Sequence, residues 1–209
     1  MSVQITKNQL LTPVLQTNNQ FVKYKPKNKK METTTRKVAY TPANQNANNA
    51  PTLSVLGMPT AVKMTHAQTY GQFSCIETSL APRQMGPPPH VHFELDEIMR
   101  VLEGTITLLE GDKVVEVAAG GYHFRPRGVI HTFWNGHDEP AKFLDMYPST
   151  QDFAHYLEEL AQLGEDMHNE GVNPFAPENT ARFKALDARY NHEVFYELMP
   201  EHLAKYAAK

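Results

Sequence analysis

Three histidines and a glutamate have the residue types and the spacing of a metal-binding site. His90 and His92 are two residues apart, and Glu97 follows five residues after His92. On a β-strand, residues two apart point to the same face, so the two imidazoles would project side by side. Glu97 would return to that face because the acidic, turn-like residues 94–96 interrupt the strand. His131 supplies a third imidazole from a later segment.

Three imidazoles and one carboxylate form a mixed nitrogen and oxygen ligand set that suits divalent transition metals. The set predicts one ion per chain, with iron, manganese, nickel, cobalt, copper and zinc all left open. Four protein ligands around an octahedral ion leave two positions for water, a substrate oxygen or molecular oxygen. No residue is predicted to bind an organic cofactor. Glu94 and Asp96 are expected to be solvated turn residues, and Cys75 to be a packing residue.

The remaining histidines are interpreted as bystanders. His123 and His137 lie near the motif in sequence, but neither is assigned as a ligand. The histidines farther away, His192 among them, are expected at the surface or in satisfied core positions. The prediction therefore rests on His90, His92 and His131 alone among the imidazoles.

Short β-rich runs separated by glycines must position these side chains. The pattern predicts strands at residues 72–78, 90–93, 98–102, 105–109, 114–117, 121–125 and 142–147, which indicates a sandwich or barrel. After Pro148 the apolar period becomes helical. A first helix is predicted with Ser149 as its cap and Gly164 as its end, and a second helix at 178–190. A late strand at 193–198 and a short helix at 201–208 complete the prediction.

The motifs resemble those of the cupin superfamily. The first cupin motif is matched by His90, His92, Glu97 and Gly104, and the second by Gly120, Pro126, Gly128, His131 and Asn135. The chain departs from the family at Gln84, where members often have a glycine. The Gly-Pro-Pro-Pro-His loop at 86–90 and the segment 174–200 are similar to single-barrel relatives of quercetin dioxygenase.

The resemblance implies an all-β core, the double-stranded β-helix or jelly-roll barrel of cupins, with the metal inside. Gly104, Gly120 and Gly128 would then be turn residues. Together with the composition, this predicts a flexible basic leader and linker at 1–50, the barrel at 51–148, and C-terminal α-helices packed on the barrel at 149–209.

The resemblance to quercetin dioxygenase favours a metal-dependent dioxygenase that acts on an enolic or phenolic, flavonol-like small molecule. Glu97 would be its catalytic proton acceptor. Met99 and Phe133, each two residues after a ligand, are expected on the inner face, and Phe124 is expected to join them in the substrate pocket. Two alternatives stay open: a non-redox metal-dependent isomerase, lyase or hydrolase, and a non-catalytic cupin that binds a small molecule.

Composition limits the surroundings and partners of the protein. Hydrophobic residues make up 41% and charged residues 21% of the 209 residues, which is a globular composition, and no apolar run has the length of a membrane helix. A single cysteine fits a reducing compartment, so a cytoplasmic location is predicted. Phe21 and Tyr24 are the only aromatics interleaved with the basic residues of the leader before residue 40, apart from Tyr40 at its end, so no nucleic acid partner is expected. The predicted partners are a small-molecule substrate and a second copy in a homodimer.

Overall fold

The structure is a computed structural model that describes residues 15–17, 20–22, 52–174 and 176–198. Most of the predicted leader and linker, and the predicted helix at 201–208, lie outside the described residues. Strands β1 (Leu15–Thr17) and β2 (Gln20–Val22) form an antiparallel pair within the leader.

The part of the chain from residue 52 onwards is built around two antiparallel sheets. Its strands are β3 (Thr52–Val55), β4 (Met58–Met64), β5 (Ser74–Leu80), β6 (His90–His92), β7 (Glu97–Glu103), β8 (Thr105–Glu110), β9 (Lys113–Ala118), β10 (Tyr122–Arg125), β11 (His131–Trp134), β12 (Ala141–Tyr147) and β13 (His192–Val194). The first sheet has the order β10-β7-β12-β5-β4-β3, and the second has the order β13-β6-β11-β8-β9. The predicted all-β core, a double-stranded β-helix followed by α-helices, is confirmed.

The hydrophobic core takes side chains from both sheets. Met99 of β7 and Phe143 of β12 come from the six-stranded sheet, and Ile106 and Leu108 of β8 come from the five-stranded sheet; all four are fully buried. Burying one such side chain contributes about 1.5–3 kcal/mol. Strand β12 alternates strictly between buried and partly buried residues, so its inward positions continue this core along the barrel.

Helix α1 (Phe153–Glu170) begins and ends at residues other than those predicted. Asp152 caps it by accepting a hydrogen bond from the backbone N–H of His155, whereas Ser149 had been expected as the cap. Gly164 lies inside the helix, and the helix ends at Gly171, which has a φ of 69°. A glycine inside a helix costs only about 1 kcal/mol relative to alanine, so packing of the apolar face continues past Gly164.

The chain returns to the barrel after the second helix. Helix α2 (Pro177–Arg189) lies within one residue of its prediction. Strand β13 is shorter than predicted, because residues 196–198 form a 3-10 turn. It adds to the edge of the five-stranded sheet by pairing with β6, and this pairing sets His192 opposite His92. None of the helices in the described ranges has the length and apolar character needed to cross a membrane.

Gly104 provides a test of the predicted turn residues. It has a φ of +69°, and a Cβ atom there would lie 2.4 Å from the carbonyl oxygen of Pro140. We expect Gly104→Ala to lower the free energy of unfolding, measured by urea denaturation, by about 1–3 kcal/mol. Gly164→Ala is the matched control, because a Cβ at that helical position meets no atom within 4 Å. It should raise stability by about 0.5–1 kcal/mol, and equal effects of the two changes would contradict the turn assignment.

Candidate metal centre

The four predicted ligands come together inside the barrel. One ligand atom from each of His90, His92, Glu97 and His131 can be chosen so that all four lie within 4.8 Å of one another, and all four residues are buried. His90 and His131 are direct cross-strand partners on β6 and β11. The cluster therefore draws its imidazoles from one sheet and its carboxylate from the other.

The change of sheet explains how Glu97 faces the histidines despite its odd spacing. Residues 93–96 leave the five-stranded sheet after β6 and enter the six-stranded sheet at β7, so the alternation of side chains restarts. Leu95 is buried in this crossing. Asp96, expected to be solvated, instead accepts hydrogen bonds from the backbone N–H and the guanidinium of Arg127. These bonds tie the crossing to the loop that leads into His131.

Backbone carbonyls fix the proton positions on two of the imidazoles. His90 Nδ1 lies 2.8 Å from the carbonyl oxygen of Pro88, and His131 Nδ1 lies 2.9 Å from that of Val129. A carbonyl oxygen can only accept, so each Nδ1 carries the hydrogen and each Nε2 presents a lone pair. Metal-binding histidines are held in this way.

Orphaned nitrogens show that the cluster fits a metal ion. His131 Nε2 and both ring nitrogens of His92 are buried and make no hydrogen bond of regular geometry among the described residues. Each buried polar atom left unsatisfied costs about 1–3 kcal/mol. His92 Nε2 nevertheless lies 2.8 Å from Glu97 Oε1. Two ligands at about 2.1 Å from one ion are spaced about 3 Å apart when adjacent, so this contact matches the edge of a coordination shell.

The protonation states also suit a cation. Burial lowers the pKa of His90 well below its ordinary value, and the neighbouring His131 and His92 lower it further. Burial favours the neutral acid at Glu97, but Arg125 and His92 outweigh burial and hold the pKa of this carboxyl well below its usual range. A neutral imidazole and an ionised carboxylate are the forms that bind metal.

Arg125 is a buried cation that the sequence analysis did not single out. Its side chain is 1% exposed, and Nη2 lies 2.6 Å from Glu97 Oε2 and 2.5 Å from Asp145 Oδ1. One nitrogen thus bridges a predicted ligand and a second carboxylate, which orients Glu97 from behind. Burial raises the pKa of Asp145 to about 6, although Arg125 opposes the shift. The alternation of β10 turns Arg125 inward, but the sequence does not show which face of this strand is inner.

A cavity of about 80 Å³ adjoins the cluster. Its lining includes three of the predicted ligands (His90, His92 and Glu97) together with apolar and aromatic side chains of both sheets and α1: Val55, Met58, Ile76, Phe133, Tyr147, Phe153, Tyr156, Leu157, Leu160 and Val194. The cavity gives the cluster an apolar neighbour that a substrate could enter.

The three residues predicted for the substrate pocket lie in three different places. Phe133 lines the cavity. Met99 is fully buried in the core but does not line it. Phe124 is 55% exposed and lies on the outer face, because β10 turns His123 and Arg125 inward. Phe124 is therefore not part of the cavity wall, contrary to the expectation from sequence.

The other histidines near the motif lie outside the cluster. His123 pairs with Glu110 at 3.2 Å, and His137 pairs with Glu116 at 3.3 Å. His192, expected at the surface or in the core, is buried beside the site, with its ring centroid 5.0 Å from that of His92. Its position depends on the pairing of β13 with β6, which local sequence patterns do not reveal.

A match to a family model supports the fold. Residues 76–147 match the family model described as a cupin domain. Among solved structures, a predicted oxalate decarboxylase from Thermotoga maritima is 18% identical with a TM-score of 0.46, covering 50% of this chain and 96% of that one. The polyketide cyclase RemF from Streptomyces resistomycificus is 24% identical with a TM-score of 0.44, covering 50% and 77%. A cupin sugar phosphate isomerase from Silicibacter pomeroyi is 22% identical with a TM-score of 0.43, covering 49% and 73%. No curated protein sequence matches the chain.

Proposed function

We propose that this chain, whose residues 76–147 match the cupin domain model, is a metal-dependent dioxygenase acting on a small enolic or phenolic molecule. The observation that carries the proposal is the convergence of three imidazoles and one carboxylate beside an apolar cavity. A dioxygenase needs a metal with open coordination positions and an apolar space next to them. The four residues supply ligands for the metal, and the cavity supplies the apolar space.

Each ligand has a separate role in the proposal. A bound transition metal would supply a Lewis acid for a substrate oxygen and a route for electrons to molecular oxygen. His90 and His131 would hold the ion through Nε2, and His92 would complete the set of imidazoles. Glu97 would be the fourth ligand and would accept the proton of the substrate hydroxyl.

The electrostatics of Glu97 narrow the substrate class. Arg125 and His92 hold the pKa of Glu97 well below its usual range against the effect of burial. A carboxylate with a low pKa is a weak base, so proton transfer to it is less unfavourable from an acidic hydroxyl than from an aliphatic alcohol. Enols and phenols are therefore better suited to this site than simple alcohols.

The size of the cavity narrows the class further. Its volume of about 80 Å³ is small beside the roughly 300–1,000 Å³ of most small-molecule pockets. A substrate with a single ring is favoured over a flavonol, for which the wall formed by Phe153, Leu157 and Leu160 would have to move.

The predicted homodimer and the predicted cytoplasmic location stay predictions.

Replacement of Glu97 tests the proposal. We expect Glu97→Gln to slow oxygen consumption by about 100-fold or more, because it removes both the proton acceptor and an anionic ligand. The measurement is the rate of oxygen uptake by iron-, manganese- or nickel-loaded protein supplied with single-ring enols and phenols, with metal content determined in parallel. Glu94→Gln is the matched control, since Glu94 is exposed and outside the cluster.

The same experiment separates the alternatives. One alternative is supported if the protein retains zinc when purified from its own host and consumes no oxygen with any of the three metals. If such a protein converts substrate without oxygen, it is a non-redox isomerase, lyase or hydrolase. A protein that binds these molecules and converts none would be a non-catalytic cupin. Either result would overturn the dioxygenase proposal.

A further inference from the structure

A second polar group lines the cavity beside the predicted ligands. It consists of His192, Tyr156 and Asp187, all of them buried, and His192 and Tyr156 line the cavity. His192 lies on β13, Tyr156 on α1 and Asp187 on α2, so three elements that follow the barrel motifs in sequence meet here. We call these three residues the His192 network.

The hydrogen bonds of the network fix where its protons lie. The Tyr156 hydroxyl donates to Asp187 Oδ1 at 3.0 Å, because a carboxylate can only accept. Asp187 Oδ2 accepts in turn from the Tyr196 hydroxyl at 2.9 Å. Burial raises the pKa of Tyr156 well above its usual value, and Asp187 raises it further, so the Tyr156 hydroxyl keeps its proton.

With its proton given to Asp187, the Tyr156 oxygen is an acceptor toward His192. His192 Nε2 lies 3.1 Å from that oxygen and 3.4 Å from Asp187 Oδ1, so Nε2 carries the hydrogen. In the neutral ring Nδ1 is then a bare acceptor. Nδ1 is buried and has no hydrogen-bond partner among the described residues. A buried acceptor left unpaired is costly, so a donor from a bound molecule would relieve it.

We propose that His192 Nδ1 is a recognition site for a hydroxyl on the molecule whose other oxygen binds at the metal centre. The ring of His192 packs 5.0 Å from that of His92, centroid to centroid, which sets the two polar groups within the span of one small molecule. The substrate class that follows is a single-ring enol or phenol with a second, separate hydroxyl. This inference rests on the proposed function, because the first oxygen of the molecule is taken to bind the metal. It assigns His192 a role in substrate binding.

Two probes that differ by one hydroxyl test the proposal. Kojic acid and allomaltol share the same metal-binding hydroxypyranone ring, and kojic acid has a hydroxyl on its side chain where allomaltol has hydrogen. We expect nickel-loaded protein, titrated calorimetrically without oxygen, to bind kojic acid about tenfold more tightly than allomaltol, as one well-placed hydrogen bond to a buried acceptor implies. Equal affinities, or binding of neither probe, would overturn the proposal.

Variants show whether His192 causes the preference. His192→Phe keeps an aromatic ring in the same packing and should make the two affinities equal within about twofold while nickel content stays unchanged. His155→Phe is the matched control, because His155 is an exposed histidine of α1, and it should keep the preference. A preference that survives in His192→Phe would contradict the assignment.

Asp187→Asn reverses the direction of the hydrogen bonds in the network. The amide can donate to the Tyr156 oxygen, whose hydroxyl then donates to His192 Nε2 and leaves the hydrogen on Nδ1. A hydroxyl can accept from Nδ1 as well as donate to it, so the preference for kojic acid should survive in Asp187→Asn and be lost only in His192→Phe. The affinities are measured without oxygen, so a protein that shows no dioxygenase turnover can still satisfy this test. Conversely, equal affinities for the two probes would not contradict the dioxygenase proposal.

Discussion

Replacing His131 with alanine is expected to abolish stoichiometric metal binding. His131 Nε2 is one of the four ligand atoms that converge, and the bond from Nδ1 to the carbonyl oxygen of Val129 holds it in position. Loss of an outer-shell partner already costs about 10–100-fold in metal affinity, so loss of the imidazole itself should cost more than about 100-fold. The measurement is metal content by mass spectrometry after dialysis, together with calorimetric titration of nickel or zinc.

The control for this change is His123→Ala. His123 is a partly buried histidine on β10 that pairs with Glu110 and lies outside the cluster. It should keep one ion per chain, and both variants should retain the circular dichroism of the wild type. If the protein without His131 took up metal with unchanged affinity, the four residues would not be the metal centre, and the enzymatic proposal would fail with them.

Two of the ligands could be predicted from strand geometry because their spacing is local, whereas His131 was identified by the resemblance to the second cupin motif. His90 and His92 are two residues apart on one strand, so strand geometry alone puts them on one face. Glu97 needed more than local geometry. The sequence indicated a break at 94–96, but only the structure shows that the chain changes sheets there.

The supporting residues could not be predicted because long-range pairing places them. Arg125 meets Asp145 across two strands of the six-stranded sheet that are not neighbours, and His192 reaches His92 from about 100 residues farther along the chain. Nothing in a single sequence distinguishes these residues from ordinary charged or polar positions. Arg125 is recognised only once the pairing of β7 with β10 and β12 is known, and His192 only once the register of β13 against β6 is known.

Register also explains the wrong assignment of Phe124. The side-chain period of a strand is two, so an error of one residue moves every side chain to the opposite face. The aromatic residues of β10 suggested an inner wall, but its inner positions carry His123 and Arg125.

Strands β3, β4 and β11 were not predicted, and β4 contains Pro59, which weakens a strand pattern.

Removing the charge of Arg125 is expected to destabilise the metal-free protein strongly. The side chain is 1% exposed, and its one nitrogen Nη2 contacts both Glu97 and Asp145. Arg125→Met keeps much of the volume but leaves two buried carboxylates without their cation. Breaking a buried ion pair from one side costs about 3–5 kcal/mol, and we expect a loss of this size in the free energy of unfolding from urea denaturation.

Arg127→Met is the control, because Arg127 holds Asp96 from an exposed position, with 52% of its side chain accessible. Exposed ion pairs contribute little, so stability should change little.

In Arg125→Met/Asp145→Leu one of the two unpaired carboxylates is gone, and part of the lost stability should return. A divalent ion at the four ligands would also neutralise Glu97, so added nickel should stabilise Arg125→Met more than it stabilises the wild type. Equal stabilisation of both proteins would mean that Arg125 and the ion do not compensate the same charge.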